Sequence, residues 1–306
     1  MRLKLGRPDL TDYQRYFDAP RATPSTPLTV TWAGVTTLLI DDGESAVLTD
    51  GFFSRPSLRH IGLRRLAPSE PRIDGCLARL RIEQLEAVLP VHTHYDHAMD
   101  SAVVAERTGA RIVGGQSAAH VGRGHGLPED RLVVADPGDP IRLGAYDVTL
   151  IVGSHCPPDR FPGSIATPVV PPVKVSAYRC GEAWSTLVHH RPSDRRLLVV
   201  GSAGFVSGAL AGRQADVVYL GVGQLGLQPE RYLVDYWQET VRTVRARRVV
   251  LIHWDDFFRP LYKPLRALPY AADDLDVSIR VLSRLAEDDG VALHLPTLWQ
   301  PANPWL

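Results

Sequence analysis

The residues most able to do chemistry lie in one short run, His92-Thr93-His94-Tyr95-Asp96-His97. The apolar stretch Leu85–His92 predicts a buried strand that ends in this run. Alternate side chains of an extended segment point the same way, so His92 and His94 can reach one ion together. A helix predicted directly after the run carries Asp96 and His97 toward a neighbouring position. Imidazole and carboxylate are typical ligands of zinc and iron, so the run predicts a metal site.

An HxHxDH run after a buried strand resembles the signature of the metallo-β-lactamase superfamily. The resemblance extends from about Leu28 to about Pro260, and it implies a four-layer αββα sandwich of the α+β class. It also implies a first metal site formed by His92, His94 and His155. The second metal site would be formed by Asp96, His97 and His253. Asp50, in Leu48-Thr49-Asp50-Gly51, resembles the early aspartate that orients a ligand from outside the metal site.

The sequence departs from this family at one position. A bridging aspartate usually follows a buried strand, but here Ser202 stands at that place, after Leu197–Val200. Two divalent ions bring four positive charges, and without that aspartate fewer negative charges offset their repulsion. We therefore expect one firmly bound zinc and a second that is weak or absent, with iron or manganese as possible alternatives. The sequence leaves open whether Ser202 is itself a ligand, or whether Asp255 or Asp256 supplies the missing carboxylate.

The resemblance implies a hydrolase in which a metal-activated water attacks the substrate. Asp96 is then expected to orient the water or act as a general base, and Tyr95 and Ser202 to donate hydrogen bonds to developing charge. Aromatic residues that follow the ligands suggest an apolar pocket wall, although they are equally typical of ordinary core: Phe161, Phe205, Trp254, Phe257 and Phe258. The segment 253–258 resembles the branch of UlaG-type lactonases and N-acyl-phosphatidylethanolamine phospholipase D-like enzymes. We therefore expect a small-molecule substrate that is an ester, a lactone or a phosphodiester, with an apolar substrate as one option.

Two other functions remain open at this point. One is a mononuclear iron oxygenase on the same fold, which needs two histidines and a carboxylate on its iron. The other is a non-catalytic metal-binding protein, if Ser202 marks a degraded site.

The order of predicted elements favours one domain over residues 1–306, with an irregular arm at 1–27 and a closing segment at 261–306. Strands are predicted at Leu28–Ala33, Val35–Ile40, Ala46–Thr49 and Val175–Arg179, and helices at Ala98–Thr108, Pro229–Arg245 and Ala272–Glu287. Interleaved strands and helices of this kind bury their apolar faces as two packed sheets with helices outside.

Composition limits the partners and the compartment. Lys plus Arg equals Asp plus Glu at 34 each, so no general charge attracts nucleic acid or an anionic membrane. There are three cysteines and none forms a CxxC pair, which is typical of a reducing compartment. No apolar leader or long apolar run is evident, so we expect a cytoplasmic protein without stable membrane insertion. The oligomeric state stays unknown.

Overall fold

The structure is a computed structural model that describes residues 4–306. Its strands, in chain order, are β1 Thr29–Trp32, β2 Leu38–Asp41, β3 Ala46–Thr49, β4 Ala87–Leu89, β5 Arg111–Gly114, β6 Leu132–Val134, β7 Pro140–Leu143, β8 Tyr146–Val152, β9 Trp184–His190, β10 Arg195–Val200, β11 Val217–Gly221, β12 Arg248–Ile252, β13 Ala292–His294 and β14 Pro301–Ala302. The α-helices are α1 Leu58–Leu63, α2 Glu70–Leu80, α3 Tyr95–Ala98, α4 Ser101–Thr108, α5 Gln116–His125, α6 Glu230–Trp237 and α7 Leu275–Asp289. A π-helical turn, Gln238–Arg242, continues α6.

The strands form two seven-stranded sheets, in the orders β14-β1-β2-β3-β4-β5-β6 and β13-β12-β11-β10-β9-β8-β7. In the first sheet β3 and β4 are parallel. In the second, β10, β11 and β12 are parallel, and β8 runs in their direction because β8 and β10 are both antiparallel to β9. The carboxyl ends of β8, β10 and β12 therefore lie at one edge of the second sheet.

Both faces of the first sheet are buried. Ile40 and Val47 pack in the core between the two sheets, whereas Leu39 and Leu48 pack in a second core beneath helices α2, α4 and α5. This alternation follows from the two-residue period of a strand. Helices α6 and α7 pack against the second sheet through residues such as Trp237. The order of layers is thus helix, sheet, sheet, helix, which confirms the αββα sandwich.

Several element predictions need correction. The predicted strand Val175–Arg179 is instead a 3₁₀ turn at Val175–Ala177 within a long loop. The arm at 1–27, predicted to be irregular, contains a 3₁₀ helix at Leu10–Tyr16, and residues 1–3 lie outside the described part. Helices α2 and α5 were not predicted. Within residues 4–306, none of the helices has both the length and the apolar character needed to cross a membrane.

Candidate metal centre

The predicted metal ligands all follow strands at the edge where the two sheets meet. Asp50 comes directly after β3, and the HxHxDH run begins just beyond β4 and turns into α3. His155 follows β8 and His253 follows β12. His253 and Asp50 both adopt positive φ angles of 61° and 53°, which is unusual for residues other than glycine and often found at functional sites.

One cluster of potential ligands consists of His92, His94 and His155, which we call the first triple. His92 Nε2 lies 3.1 Å from His94 Nδ1. The ring of His155 lies 5.0 Å from that of His92 and 4.7 Å from that of His94. His155 Nδ1 donates to the carbonyl of Cys156 at 2.7 Å, which leaves Nε2 free. The first triple therefore presents three imidazole nitrogens to one point.

Burial keeps the first triple neutral. It holds the pKa of His92 well below its ordinary value of 6.5, and the neighbouring histidines lower it further. Burial also lowers the pKa of His94, and it lowers that of His155 to about 4 together with the adjacent His94. At neutral pH these imidazoles are uncharged, so a lone pair is available on each ring.

A second cluster consists of Asp96, His97 and His253, which we call the second triple. Asp96 Oδ2 lies 3.7 Å from His97 Nε2 and 3.8 Å from His253 Nε2. On its far side, His97 Nδ1 donates to Asp50 Oδ2 at 2.8 Å. Asp50 Oδ1 accepts from the backbone N–H of Val91 at 2.9 Å, so one carboxylate links the ends of β3 and β4 to a ring of the second triple.

The charges of the second triple suit a cation. Burial opposes ionisation of Asp96, but His97 and His253 hold its pKa below the ordinary value, so the carboxylate is charged at neutral pH. Burial lowers the pKa of His253 to about 4, and the nearby His97 adds to this shift. For His97, burial acts against protonation but Asp50 and Asp96 outweigh it, and its pKa is raised. A bound cation would displace that proton.

The two clusters fit divalent metal ions by the chemistry of their donors. Three neutral imidazoles are a frequent zinc ligand set, and two imidazoles with one carboxylate suit zinc or iron. The sequence prediction that these six residues assemble into two adjacent groups agrees with this geometry. Their role as metal ligands stays a prediction.

The two further residues predicted to act in catalysis lie nearby. Ser202 Oγ accepts from the backbone N–H of Cys156 at 3.0 Å, beside His155, and its hydroxyl hydrogen is still available to donate. Tyr95 is 8% exposed and its ring packs edge-on against Phe52 at 6.0 Å. Burial raises the pKa of Tyr95 well above its ordinary value, so the phenol stays protonated.

The alternative that Asp255 or Asp256 supplies the missing carboxylate is not supported. Arg55 donates to Asp255 Oδ2 at 2.5 Å, and both side chains are fully buried. Asp256 accepts from Arg7 at 3.2 Å and from Arg266 at 2.8 Å. Neither carboxylate belongs to a cluster of potential ligands among residues 4–306. Each one is held by arginine because a buried carboxylate needs a counter-ion.

The partners of two carboxylates near the centre were not predicted from the sequence. Asp159 Oδ1 lies 3.1 Å from His94 Nε2, and Asp255 is tied to Arg55, 200 positions earlier in the chain. No local sequence pattern predicts either pair. A single acid in the proline-bearing loop after His155 was the only available signal for Asp159.

The aromatic residues that follow the candidate ligands divide into two groups. The ring of Phe161 lies 6.4 Å from that of His94, and the ring of Phe257 lies 5.6 Å from that of His253. Phe257 also stacks on Phe258 at 4.4 Å. The remaining two aromatics pack elsewhere: Trp254 is buried in the core against Trp32 at 5.1 Å, and the half-buried Phe205 packs against Tyr232. Half-buried phenylalanines thus flank both triples.

Comparison with known sequences agrees with this description. The family model of the metallo-β-lactamase superfamily matches residues 30–253. A curated relative, the probable L-ascorbate-6-phosphate lactonase UlaG of Salmonella heidelberg, is 28% identical over 106 residues. That alignment covers 31% of this chain and 30% of the relative, so the chain matches under a third of that protein's length.

Solved structures share the fold at low sequence identity. A possible metal-dependent hydrolase from Veillonella parvula superposes with a TM-score of 0.57 at 14% identity, covering 91% of this chain and 100% of that one. CmlA, a diiron β-hydroxylase from Streptomyces venezuelae, superposes with a TM-score of 0.53 at 13% identity, covering 90% of this chain and 54% of that one. At these identities the likeness concerns the fold alone.

Proposed function

The chain belongs to the metallo-β-lactamase superfamily, and from this premise we propose that it is a metal-dependent hydrolase acting on an ester, lactone or phosphodiester. The observation that carries the proposal is the convergence of two triples of donors at one edge of the sandwich. A divalent cation bound there would polarise the attacked group and lower the pKa of water toward about 7.

The protein's own residues would supply position and charge. The first triple brings neutral donors only, so none of its own ligand atoms would neutralise the charge of a bound cation. Asp96 adds the negative charge at the second triple, and its oxygens can orient a water or accept its proton. Asp50 fixes His97 with Nε2 facing Asp96, which prevents the ring from turning away. Ser202 and Tyr95 would donate hydrogen bonds to developing negative charge.

The surroundings of the centre favour a substrate with an apolar part. Phe161 and Phe257 are half-buried beside His94 and His253, so each presents part of its ring to the space outside the triples. Burying aromatic surface against a ligand contributes roughly 25 cal/mol per Å² of apolar area removed from water. A lactone or ester with an alkyl or aryl group would use this surface, while its carbonyl faced the donors.

A second candidate is favoured by the composition of the second triple. Asp96, His97 and His253 are the two histidines and one carboxylate typical of non-haem iron oxygenases. Iron bound at this triple, with oxygen consumption in place of hydrolysis, would favour this second function.

The test uses zinc-loaded protein and one substrate of each class: an alkyl lactone, a p-nitrophenyl ester and bis(p-nitrophenyl) phosphate. We expect hydrolysis of at least one class, loss of activity with a chelator, and loss in His92→Ala. The matched control is His60→Ala, since His60 is an exposed histidine on α1. Full activity in His92→Ala, or no hydrolysis of any class by zinc-loaded or iron-loaded protein, would contradict the proposal.

A further inference from the structure

The ring of His94 has a separate partner for each of its nitrogens. Its Nδ1 lies 3.1 Å from His92 Nε2 and so faces the first triple. Its Nε2 points to the other side, where Asp159 Oδ1 lies at 3.1 Å and the carbonyl oxygen of Phe161 at 3.4 Å. Both partners of Nε2 are acceptors, so this nitrogen carries the proton. A neutral imidazole with its proton on Nε2 has its lone pair on Nδ1, directed at the first triple.

Asp159 is held in place by the backbone around the ligand run. The N–H of Phe161 donates to Asp159 Oδ1 at 3.0 Å, which fixes the carboxylate within its loop. The N–H of Cys180 donates to the carbonyl of Phe161 at 2.8 Å, and the N–H of Thr93 donates to the carbonyl of Cys180 at 2.8 Å. Thr93 lies between His92 and His94. A continuous set of hydrogen bonds therefore connects the ligand run to the loop that presents Asp159.

We propose that Asp159 is a positioning residue that binds the outer nitrogen of His94 and orients this ring as a ligand of the first triple. This inference rests on the proposed function in that it takes the first triple to bind a metal. Carboxylates behind ligand histidines fix the protonated nitrogen and the ring orientation, and their loss typically weakens metal binding about 10–100-fold. Asp50 makes the same kind of contact with His97 in the second triple.

Asp159 also changes the charge around the first triple. The first triple contains only neutral imidazoles, and Ser202 stands where the family usually has a further carboxylate. Asp159 places a negative charge directly behind one of these imidazoles. It thereby makes the lone pair of His94 more basic and offsets part of the positive charge of a bound cation. Through this charge, Asp159 would favour firm binding of a cation at the first triple, which has no carboxylate ligand.

The first readout needs no metal. In metal-free protein labelled with ¹⁵N-histidine, long-range ¹H–¹⁵N NMR spectra report which nitrogen of each ring carries the proton. We expect His94 to be protonated on Nε2 in the wild type and to keep this form in Asp159→Asn, whose amide oxygen still accepts. In Asp159→Ala only the carbonyl of Phe161 at 3.4 Å remains as an acceptor, so the share of the form protonated on Nδ1 should rise. An unchanged His94 signal in Asp159→Ala would overturn the proposal.

The second readout is zinc affinity, measured by chelator competition. We expect Asp159→Ala to bind about 10–100-fold more weakly, and Asp159→Asn to lie between it and the wild type. The matched control is Asp130→Asn: Asp130 is exposed and precedes β6, at the edge of the first sheet opposite the centre. It should bind as the wild type does.

Two results would overturn the proposal. One is an affinity of Asp159→Ala within about twofold of the wild type, a difference much smaller than such carboxylates produce. The other is a metal equivalent whose binding requires both Asp159 and Cys180, since their ligand atoms cluster with His94 and would then act as ligands themselves. Zinc binding that depends on Asp159 without hydrolysis of any substrate would refute the proposed function alone.

Discussion

The buried ion pair between Arg55 and Asp255 stabilises the backbone next to the second triple. Arg55 Nη2 donates to Asp255 Oδ2 at 2.5 Å, and neither side chain is exposed. Asp255 Oδ1 accepts from the backbone N–H of Val35 at 2.8 Å, and the carbonyl of Val35 accepts from the N–H of His253 at 2.8 Å. The pair therefore fixes the turn that holds the backbone of a candidate ligand.

Asp255→Asn keeps an acceptor for Val35 but leaves the charge of Arg55 buried without its counter-ion. Removing one partner of a buried ion pair costs about 3–5 kcal/mol. That is a large part of the roughly 5–15 kcal/mol by which native proteins are stable. The double change Arg55→Met and Asp255→Asn removes both charges and keeps the acceptor for Val35, and it should be more stable than Asp255→Asn alone because no unpaired charge remains.

The assay is urea unfolding of the metal-free protein, followed by tryptophan fluorescence and extrapolated to water. The control is Asp235→Asn, which breaks an exposed pair with Arg231 on α6 and should cost no more than about 0.5 kcal/mol. A loss below about 1 kcal/mol in Asp255→Asn would refute the reasoning, since surface substitutions alone change stability by up to about 0.5 kcal/mol. A double variant less stable than the single one would refute it as well.

Three further predictions concern the two triples. Asp50→Asn removes the negative charge that holds His97. Chelator competition should then show about 10–100-fold weaker metal binding at the second triple. Unchanged binding would mean that Asp50 stabilises only the backbone that it contacts. Ser202→Asp adds a carboxylate that would offset the repulsion between two cations. Calorimetric titration should therefore show tighter binding of a second zinc than in the wild type. Weaker binding would contradict this. Burial lowers the pKa of His253 to about 4 in the folded chain, against about 6.5 unfolded, so the unfolded state takes up the proton first as pH falls. The contribution of His253 to the free energy of unfolding is complete above about pH 6.5. It falls by about 3 kcal/mol as the pH is lowered to 4. Urea unfolding of metal-free protein at pH 7 and pH 5 should show about 2 kcal/mol of this loss, and a smaller loss in His253→Gln.

The local part of the site could be predicted from the sequence, because HxHxDH places four donors within one strand end and one turn. The distant candidate ligands His155 and His253 were assigned by resemblance to a family, since a single histidine after a strand carries no specific signal. Asp159 was missed because its contact with His94 depends on how a long loop folds back. No residue near Asp159 in the sequence indicates that contact.

Some helices likewise depend on tertiary packing, which the local sequence does not reveal. Helix α5 contains Gly122 and Gly124, which lower helix propensity and conceal the helix in the sequence. A Cβ at Gly122 would collide with Leu132, and one at Gly124 would collide with the backbone of Val169. Close packing requires glycine at both positions, and this packing stabilises the helix against its weak propensity.

The central claim is that the first triple binds a metal ion, and elemental analysis after zinc loading and gel filtration tests it most directly. The measurement compares the wild type with His92→Ala and His253→Ala. We expect about one zinc per chain in the wild type and in His253→Ala, and none in His92→Ala. Zinc retained in His92→Ala, or no metal in the wild type, would contradict the account.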